Sequence, residues 1–441
     1  MAHLRRWIPL FAFTLLLAAV VQVAGAGPRG VGPAGAEGDQ EVGTHLPAVG
    51  ASNGLVSFTI LHTNDFHGRL EPDVYGRGGS AHMATAIDGI RSARGEANVV
   101  LLDAGDAYFA APPISQLSLG EATIDIYNRL GYDAAAYGNH EFDKGQTVLI
   151  SRTQQSNFPW LGANIVLSGT QWTHPWWARP YVTITVGASD SEATLGIIGV
   201  DTDSTPGATI AGATEGLIFK QLAEAVLHYY DEVASQSDGL IVLAHQGTSD
   251  YGVYDGLQTV AQDLVDAGKP VDLIIGGHQH EPLQSPVWVG DTAIIEAGSY
   301  GHWLGRADVT WDPAAQELTL DHYELITITT AITPDQEIAD RVAYWADLVA
   351  PLVQQKVGST YIELTRAGVD EWNLGNMVAD GMRWKADLLD DGQLNGTVEV
   401  ALTNTGGLRE ALTIPPAATL PYTITWGDTF NVMPFGNTLY L

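Results

Sequence analysis

Carboxylate, imidazole and amide side chains recur directly after five predicted strands. They are Asp65, His67, Asp106, Asn139, His140, His245, His278 and His280. The Asp-x-His and His-x-His spacings put both side chains on one side of an extended segment, as shared binding of one ion requires. Oxygen and imidazole donors without thiolate suit Zn, Mn, Fe or Mg. The pattern predicts a metal centre, although any one of these histidines could instead have an ordinary hydrogen-bond partner.

The motif Tyr-Gly-Asn-His-Glu-Phe-Asp at residues 137–143 follows an apolar run, 132–136, that we interpret as a short buried strand. Open α/β sheets usually bind ligands at the C-terminal edge of such strands. Asp143 lies three residues after His140, so its carboxylate could hold the imidazole if a helical turn begins there. The alternative is that Asn139 and His140 only close a turn. Four further polar residues are interpreted as structural or ordinary: Asp103, His62, His82 and His302.

Apolar runs alternate with segments of helical spacing, which predicts an α/β architecture with buried sheets. The predicted strands cover residues 56–61, 99–102, 132–136, 195–200, 240–243 and 271–275, with helices at 123–130 and 217–233. Further β structure is predicted at 292–296, 306–311 and 318–328. The binding residues therefore all lie at strand ends.

The length of 441 residues suggests two or three domains. We expect a first domain at 55–330, an interdomain helix within 331–358 that runs from Thr333-Pro334 to about Lys356, and a second region at 359–441. That region is predicted to contain a helix at 373–388 and a strand at 398–403. The last residues, 438–441, form a predicted β run with no closing element, so we expect the second region to be incomplete.

The N-terminus predicts export. Arg5 and Arg6 precede the apolar run 7–23, and Ala24-Gly25-Ala26 is a small-residue cleavage site, so residues 1–26 are predicted to be a signal peptide. An uncleaved membrane anchor is the alternative. Residues 27–54, rich in Gly, Ala and Pro, are predicted to be a flexible spacer. The sequence contains no cysteine, which excludes disulfides and a lipoprotein anchor.

The formal net charge is −31. Such a field repels nucleic-acid backbones and anionic membrane surfaces, so we expect no polymeric nucleic-acid partner. Because the N-terminal run is interpreted as a signal peptide, we expect no stable membrane anchor either.

In order and spacing, these motifs resemble the calcineurin-like metallophosphoesterases. The segments Leu-His-Thr-Asn-Asp-Phe-His-Gly (61–68) and Gly-Asn-His-Glu-Phe-Asp (138–143) are most similar to the bacterial exported 5′-nucleotidase branch. The resemblance covers roughly residues 55–441. It implies a four-layer α/β (α+β) catalytic domain, with two β-sheets packed face to face between helices. A truncated α/β substrate-binding domain would follow.

The resemblance also implies two divalent metal ions. The first would be held by Asp65, His67, Asp106 and His280, and the second by Asp106, Asn139, His245 and His278, with Asp106 shared. His140 would be a catalytic residue that is not a ligand, and Asp143 would orient it. Two such cations activate water and neutralise charge during in-line displacement at phosphorus, so no protein nucleophile is needed.

Three segments resemble the family's substrate-binding domain: 373–380, Asn-Thr-Gly-Gly-Leu-Arg at 404–409, and Pro-Phe-Gly-Asn at 434–437. The resemblance implies substrate-binding roles for Asn404, Gly407, Arg409 and Phe435. Arginine matches phosphate geometry, and an aromatic ring stacks on a base. Phe435 could equally be a core residue.

This chain departs from the family pattern at three points. Thr405 replaces a glycine; Gly368 stands where a second substrate arginine is usual, with Arg366 nearby but offset; and a second stacking aromatic would lie beyond residue 441.

The implied function is that of an exported enzyme that removes phosphate from 5′-nucleotides and, as a second class, cleaves UDP-sugars. Its location would be periplasmic, cell-surface or extracellular. Two alternatives stay open: a 2′,3′-cyclic-nucleotide phosphodiesterase with 3′-nucleotidase activity, and a non-catalytic binding scaffold on the same fold.

Overall fold

The computed structural model describes residues 54–188, 191–366, 371–389 and 398–435. Residues 54–435 form one compact unit by contact density. In chain order the strands are β1 (Val56–Thr63), β2 (Val99–Asp103), β3 (Ala134–Ala136), β4 (Trp160–Leu161), β5 (Ile165–Leu167), β6 (Tyr181–Ala188), β7 (Ser191–Asp201), β8 (Leu217–Phe219), β9 (Gly239–His245), β10 (Leu273–Ile275), β11 (Val287–Val289), β12 (Thr292–Ile295), β13 (Trp303–Asp312), β14 (Glu317–Thr327), β15 (Lys356–Thr360) and β16 (Tyr422–Thr425).

The α-helices are α1 (Ser80–Arg94), α2 (Pro113–Leu117), α3 (Glu121–Leu130), α4 (Gln146–Gln155), α5 (Thr205–Ala208), α6 (Leu222–Ala234), α7 (Leu257–Asp266), α8 (Gln336–Val353), α9 (Asn373–Leu389) and α10 (Trp426–Val432). Two 3₁₀ turns lie at Glu96–Asn98 and Asn139–Phe142.

Two six-stranded sheets carry the fold. Their strand orders are β14-β13-β1-β2-β3-β4 and β11-β12-β10-β9-β7-β6. Strand side chains alternate between the two faces of a sheet, and Phe58 and Ile60 of β1 pack against Ile241 and Leu243 of β9 in one shared cluster. The first core therefore lies between the two sheets.

The outer faces of both sheets are covered by helices. Leu101 of β2 packs in a cluster with residues of α1, α3, α4 and α8. Val242 of β9 and Ile274 of β10 pack with α6 and α7. The order helix, sheet, sheet, helix confirms the predicted four-layer α/β architecture.

Parallel pairing decides where the strand ends lie. β1, β2, β3 and β4 are parallel neighbours, and so are β7, β9, β10 and β12. The carboxyl ends of parallel strands meet at one edge of a sheet. The last residue of β9 and the segments that follow β1, β2, β3 and β10 carry all the predicted metal and catalytic residues, so this edge of each sheet supplies the site.

Three sequence predictions differ from the structure. Residues 217–233 are not one helix, because 217–219 form β8, antiparallel to β5, and α6 begins at Leu222. A short apolar run does not distinguish strand from helix by its period. The long helix after Thr333 is α8, which ends at Val353, and Lys356 already belongs to β15.

The predicted strand 398–403 is wrong. None of these six residues is in a strand, and the side chains of Val400 and Leu402 are 71% and 87% exposed. An apolar alternation becomes a strand only where a neighbouring strand pairs with it.

Several predictions concern residues outside the described ranges. They are the signal peptide at 1–26, the spacer up to residue 53, the glycine at position 368 and the β run 438–441. In the part of the chain that the structure describes, no helix has both the length and the apolar character to cross a membrane.

Candidate metal centre

Asp65, His67 and His280 form the first group of ligating side chains. The Nε2 atom of His280 lies 3.2 Å from Oδ1 of Asp65 and 3.2 Å from Nε2 of His67. These atoms come from the segments after β1 and β10, so the group joins the two sheets. Their spacing suits binding to one small cation.

Asp106, His245 and His278 form the second group. Oδ2 of Asp106 lies 3.1 Å from Nε2 of His245 and 3.9 Å from Nε2 of His67 in the first group. One carboxylate oxygen therefore lies between the two groups, as a shared ligand must. Asn139 is buried, and its Oδ1 atom has no hydrogen-bond partner. This oxygen is therefore not engaged by another side chain or backbone group, and the role of Asn139 as a ligand stays a prediction.

Backbone carbonyls hold two of the imidazoles in the orientation that metal binding needs. His67 Nδ1 donates to the carbonyl of Phe109 at 2.7 Å, and His245 Nδ1 donates to that of Ala104 at 2.8 Å. With Nδ1 protonated, the Nε2 lone pair of each ring is left for a ligand. Asp65 Oδ1 and His245 Nε2 are buried without a hydrogen-bond partner. These side chains fit two divalent cations.

The ligand segments have an unusual backbone. Among described residues other than glycine, nine have a positive φ. Five of these nine are predicted ligands: Asp65 (48°), His67 (49°), Asp106 (57°), His278 (73°) and His280 (60°). Left-handed backbone costs energy for such residues and clusters at functional sites. Five predicted ligands share it, so the fold bears this cost at the strand ends where the ligands converge.

His140 and Asp143 form the predicted pair. Their Nδ1 and Oδ2 atoms are 2.7 Å apart, and the turn Asn139–Phe142 places them one helical turn apart. The backbone N–H of His140 donates to Oδ1 of Asp106 at 2.8 Å, so His140 is anchored to the shared carboxylate. Its ring centroid lies 5.3 Å from that of His67. The imidazole is therefore beside the ligand groups.

Glu141, which the sequence analysis did not single out, supports this arrangement. Its buried carboxylate accepts hydrogen bonds from the backbone N–H groups of Asp106 (2.9 Å), Ala107 (2.9 Å) and Gly138 (2.8 Å). It thereby ties the segment after β2 to the segment after β3. Glu141 lies inside the motif at 137–143, which pointed to this region. Its role was not predictable, because two of its partners are 34 and 35 residues away in sequence.

Asn64 is a second supporting residue that the sequence analysis did not identify. Its Nδ2 donates to Oδ2 of Asp65 at 2.7 Å, and its Oδ1 accepts from the N–H of Ala297 at 2.8 Å. The side chain thus fixes the first ligand to the segment after β12.

The charged groups of the centre shift one another's pKa values. Burial would raise the pKa of the Asp106 carboxyl, but His245 and His140 hold it well below its usual range. Burial would lower the pKa of His245, yet Asp106 raises it well above the ordinary value. His140 behaves similarly: burial opposes protonation, and Asp143 and Asp106 raise the pKa above its usual value. The site is a dense network of opposite charges.

The residues predicted to be structural lie outside the two ligand groups. Asp103 accepts hydrogen bonds from Thr63 and Tyr127, and burial raises its pKa to about 7. His82 Nδ1 bonds to the carbonyl of Ile332 at 2.7 Å, and His302 lies 3.4 Å from Asp73.

His62 is less ordinary than predicted. It is fully buried, neither ring nitrogen has a hydrogen-bond partner, and burial lowers its pKa to about 3.

Two of the predicted substrate residues reach the metal centre. Nη2 of Arg409 lies 3.3 Å from Nε2 of His67, and the ring of Phe435 stacks on that of His140 with centroids 5.8 Å apart. Asn404 is exposed, and its Oδ1 accepts from the N–H of Gly407 at 2.8 Å, which closes the turn before Arg409. Arg409 and Phe435 therefore contact the centre, while Asn404 and Gly407 shape the loop.

A cavity of about 450 Å³ lies next to Arg409, which is one of its lining residues. It is lined by residues of both the metal-ligand side and the C-terminal part, among them Arg69, Tyr300, Arg366, Arg409, Glu410 and Asn431. The space has the volume of a small-molecule site.

Residues 58–282 match the calcineurin-like phosphoesterase family model, and residues 353–441 match that of the 5′-nucleotidase C-terminal domain. The bovine protein named 5′-nucleotidase is 29% identical over 418 residues, which are 87% of this chain and 69% of that protein. The trifunctional nucleotide phosphoesterase protein YfkN of Bacillus subtilis is 28% identical over 428 residues. That match covers 88% of this chain but only 27% of YfkN.

Among solved structures, the 5′-nucleotidase precursor of Thermus thermophilus superposes with a TM-score of 0.69 at 28% identity. The match covers 86% of this chain and 74% of that chain. The family matches, the four-layer fold and the two ligand groups agree with one another. This chain belongs to the calcineurin-like phosphoesterases, in the branch that carries the 5′-nucleotidase C-terminal domain.

Proposed function

We propose that this protein is an exported phosphohydrolase with two divalent metal ions that removes phosphate from 5′-nucleotides, with UDP-sugars as a second substrate class. One observation carries the proposal. Two groups of ligating side chains lie next to each other with the Asp106 carboxylate between them, and the His140–Asp143 pair lies beside them. A site of this kind stabilises the charge of a phosphate ester from several sides.

The proposed ligands are Asp65, His67, Asp106 and His280 for one ion, and Asp106, Asn139, His245 and His278 for the other. When bound, the two cations would activate water and stabilise the attacking and leaving oxygens of an in-line displacement. Glu141 and the backbone carbonyls of Ala104 and Phe109 keep the ligands in place, so little reorganisation is needed.

His140 is the proposed acid. Its Nδ1 proton is directed to Asp143, so Nε2 is the atom that can donate to a phosphoryl or leaving-group oxygen. Asp143 stabilises the protonated ring by its charge and fixes its orientation. Both residues act without binding a metal ion.

Arg409 and Phe435 are the proposed substrate contacts. The guanidinium of Arg409 offers a planar fork of donors to a phosphate, and its carbon lies 5.9 Å from the Phe435 ring centroid. An aromatic face next to a phosphate-binding arginine suits a nucleotide. The exposed turn 404–407 is proposed to contribute Asn404 and Gly407.

A hydrolysis panel tests the proposal, with inorganic phosphate measured for AMP and the aryl phosphate, and the nucleotide product measured for UDP-glucose and the cyclic nucleotides. The metal-loaded protein should hydrolyse AMP and an aryl phosphate, and it should act on UDP-glucose as a second class. Preference for 2′,3′-cyclic nucleotides would favour the phosphodiesterase alternative. Hydrolysis of none of these substrates, with metals bound, would indicate a binding scaffold.

Export and domain organisation are parts of the same proposal. The apolar N-terminal run supports a signal peptide at 1–26 and a location outside the cytoplasm. N-terminal sequencing of protein recovered from the culture medium or periplasm should begin near residue 27. The proposed domains remain a catalytic domain at 55–330, an interdomain helix within 331–358 and a C-terminal domain at 359–441.

A further inference from the structure

We propose that Arg69 and Glu410 form a positioning pair that holds Arg409 at the metal centre. The inference rests on the proposed function, because it assigns to Arg409 the task of binding a phosphate. Neither Arg69 nor Glu410 is a metal ligand or a member of the predicted substrate set. Their role would be to position Arg409, which does belong to the predicted substrate-binding residues.

The ion pair itself is the first observation. Nη1 of Arg69 contacts Oε1 of Glu410, and the two side chains are 13% and 31% exposed. Arg69 stands two residues after the ligand His67, and Glu410 directly follows Arg409. The pair therefore joins a metal-ligand segment to the loop that carries the proposed phosphate-binding arginine.

Arg69 is rigidly held on the metal side. Its guanidinium lies over the ring of Tyr300, 4.6 Å from the centroid. The backbone N–H of Tyr300 donates to the carbonyl of Asp65 at 2.8 Å, and its ring lies 5.2 Å from that of His280. Arg69 is thus fixed relative to two ligands of the first group.

The backbone of Arg409 is held from other directions. Its N–H donates to the carbonyl of Val432 at 2.9 Å, and its carbonyl accepts from Nη1 of Arg366 at 2.7 Å. With Glu410 pinned by Arg69, three contacts fix the main chain around Arg409. The side chain of Arg409 extends to the metal centre, where its Nη2 lies 3.3 Å from Nε2 of His67.

Charge gives the pair a second effect. Arg69, Arg366 and Arg409 line the same cavity, and the Nε atoms of all three are buried without a hydrogen-bond partner. Like charges this close repel, and Glu410 offsets that repulsion. Loss of the Glu410 charge should therefore let the Arg409 loop move away from the centre.

Binding of inorganic phosphate to the metal-loaded protein, measured by calorimetry, tests the role without requiring catalysis. Glu410→Gln keeps the shape and removes the charge, and we expect the Kd to rise about tenfold. Arg69→Lys keeps the charge but loses the planar fork, and it should give a smaller rise. Glu337→Gln is the matched control, because Glu337 pairs with Arg129 at 2.7 Å on an exposed helix surface. It should leave the Kd unchanged.

A double-variant measurement separates positioning from a structural effect. In an Arg409→Ala background, Glu410→Gln should weaken phosphate binding no further, because Glu410 acts through Arg409. An unchanged Kd in Glu410→Gln, or an equal loss in the Arg409→Ala background, overturns the proposal. So does a wild-type protein that binds no phosphate.

The outcome is distinguishable from failure of the proposed function. A wild-type protein that binds phosphate and hydrolyses no ester contradicts the phosphohydrolase proposal but leaves the binding test intact. Hydrolysis by wild type together with an unchanged Kd in Glu410→Gln contradicts only the positioning role.

Discussion

His140 differs from His67 and His245 in the partner of its Nδ1 atom, which is the Asp143 carboxylate at 2.7 Å and not a backbone carbonyl. We expect His140→Ala to keep both metal ions and to lose about 10²–10⁴ in turnover, the usual contribution of a positioned acid or base. Asp143→Asn should lose less, because that side chain orients and does not react. The measurements are kcat for an aryl phosphate and metal content by elemental analysis.

The metal content of the variant decides whether His140 is a metal ligand or a catalytic acid. Were His140→Ala protein to come out of purification without metal, His140 would be a ligand and not the acid. Equal losses from His140→Ala and Asp143→Asn would mean that the two residues act as one unit.

His62 provides a pH prediction at the residue scale. Its ring is buried between β1, β13 and β14, stacked on Tyr323 at 6.0 Å with Gly305 directly against it. Its pKa is about 3 in the folded protein against 6.5 as the ordinary value. Below pH 6.5 the His62 imidazole is protonated in the unfolded chain but stays neutral in the folded chain, so the free energy of unfolding falls as the pH falls. Each pH unit down to about 3 costs roughly 1.4 kcal/mol.

Urea unfolding at about pH 8, 6 and 5, in the presence of a chelator, measures this contribution. Relative to wild type, both His62→Leu and His62→Gln should gain stability as the pH falls below 6.5, because neither side chain titrates. The two variants differ in polarity, so a pH-dependent gain in only one of them would contradict the assignment to the imidazole proton.

At the scale of elements, the site depends on how closely the ends of β2 and β3 approach. A Cβ atom on Gly138 would lie 2.4 Å from Oδ1 and 2.7 Å from the backbone N of Asp106. Gly138→Ala should therefore push the two segments apart, cost about 1–3 kcal/mol of stability and weaken metal binding. Thermal unfolding and metal titration of the purified variant test both effects.

Gly89→Ala is the matched control. Gly89 lies within α1, and a Cβ there meets no atom within 4 Å. The substitution should stabilise the protein by about 0.5–1 kcal/mol, since alanine is the better helix former. A Gly138→Ala protein with normal metal affinity would show that the strand ends tolerate more separation than the contacts suggest.

At the scale of the whole molecule, the ligands join two sheets. Asp65, His67 and Asp106 follow strands of one sheet, and His245 and His280 lie at the ends of strands of the other. Bound cations should therefore stabilise the sandwich as well as supply chemistry. At a metal concentration of about 100 times the Kd, mass action adds about 2.7 kcal/mol to the free energy of unfolding.

Chelation should lower Tm and abolish hydrolysis, and Mn, Co or Zn should restore both. Asp106→Ala should bind neither ion, because one carboxylate is shared, and its Tm should not respond to added metal. Two ions retained in that variant would contradict the bridging role.

Much of this architecture was predictable from sequence because its signals are local. Short apolar runs predict buried strands, and a polar residue placed just after such a run lies at the sheet edge. The order of the motifs carried the resemblance that implies the ligand set, and the three-residue spacing of His140 and Asp143 predicted their contact. Residues 217–219 and 398–403 were mispredicted, because short apolar runs become strands only where a partner strand exists.

Contacts between distant segments were decided only by the tertiary structure. Glu141 binds backbone groups 34 and 35 residues away, and Arg69 meets Glu410 across 341 residues. No periodicity encodes such a meeting, because each side chain is chemically ordinary until the fold brings its partner to it. Sequence therefore determined which groups can do the chemistry, and packing of the two sheets and the C-terminal part decided what holds those groups in place.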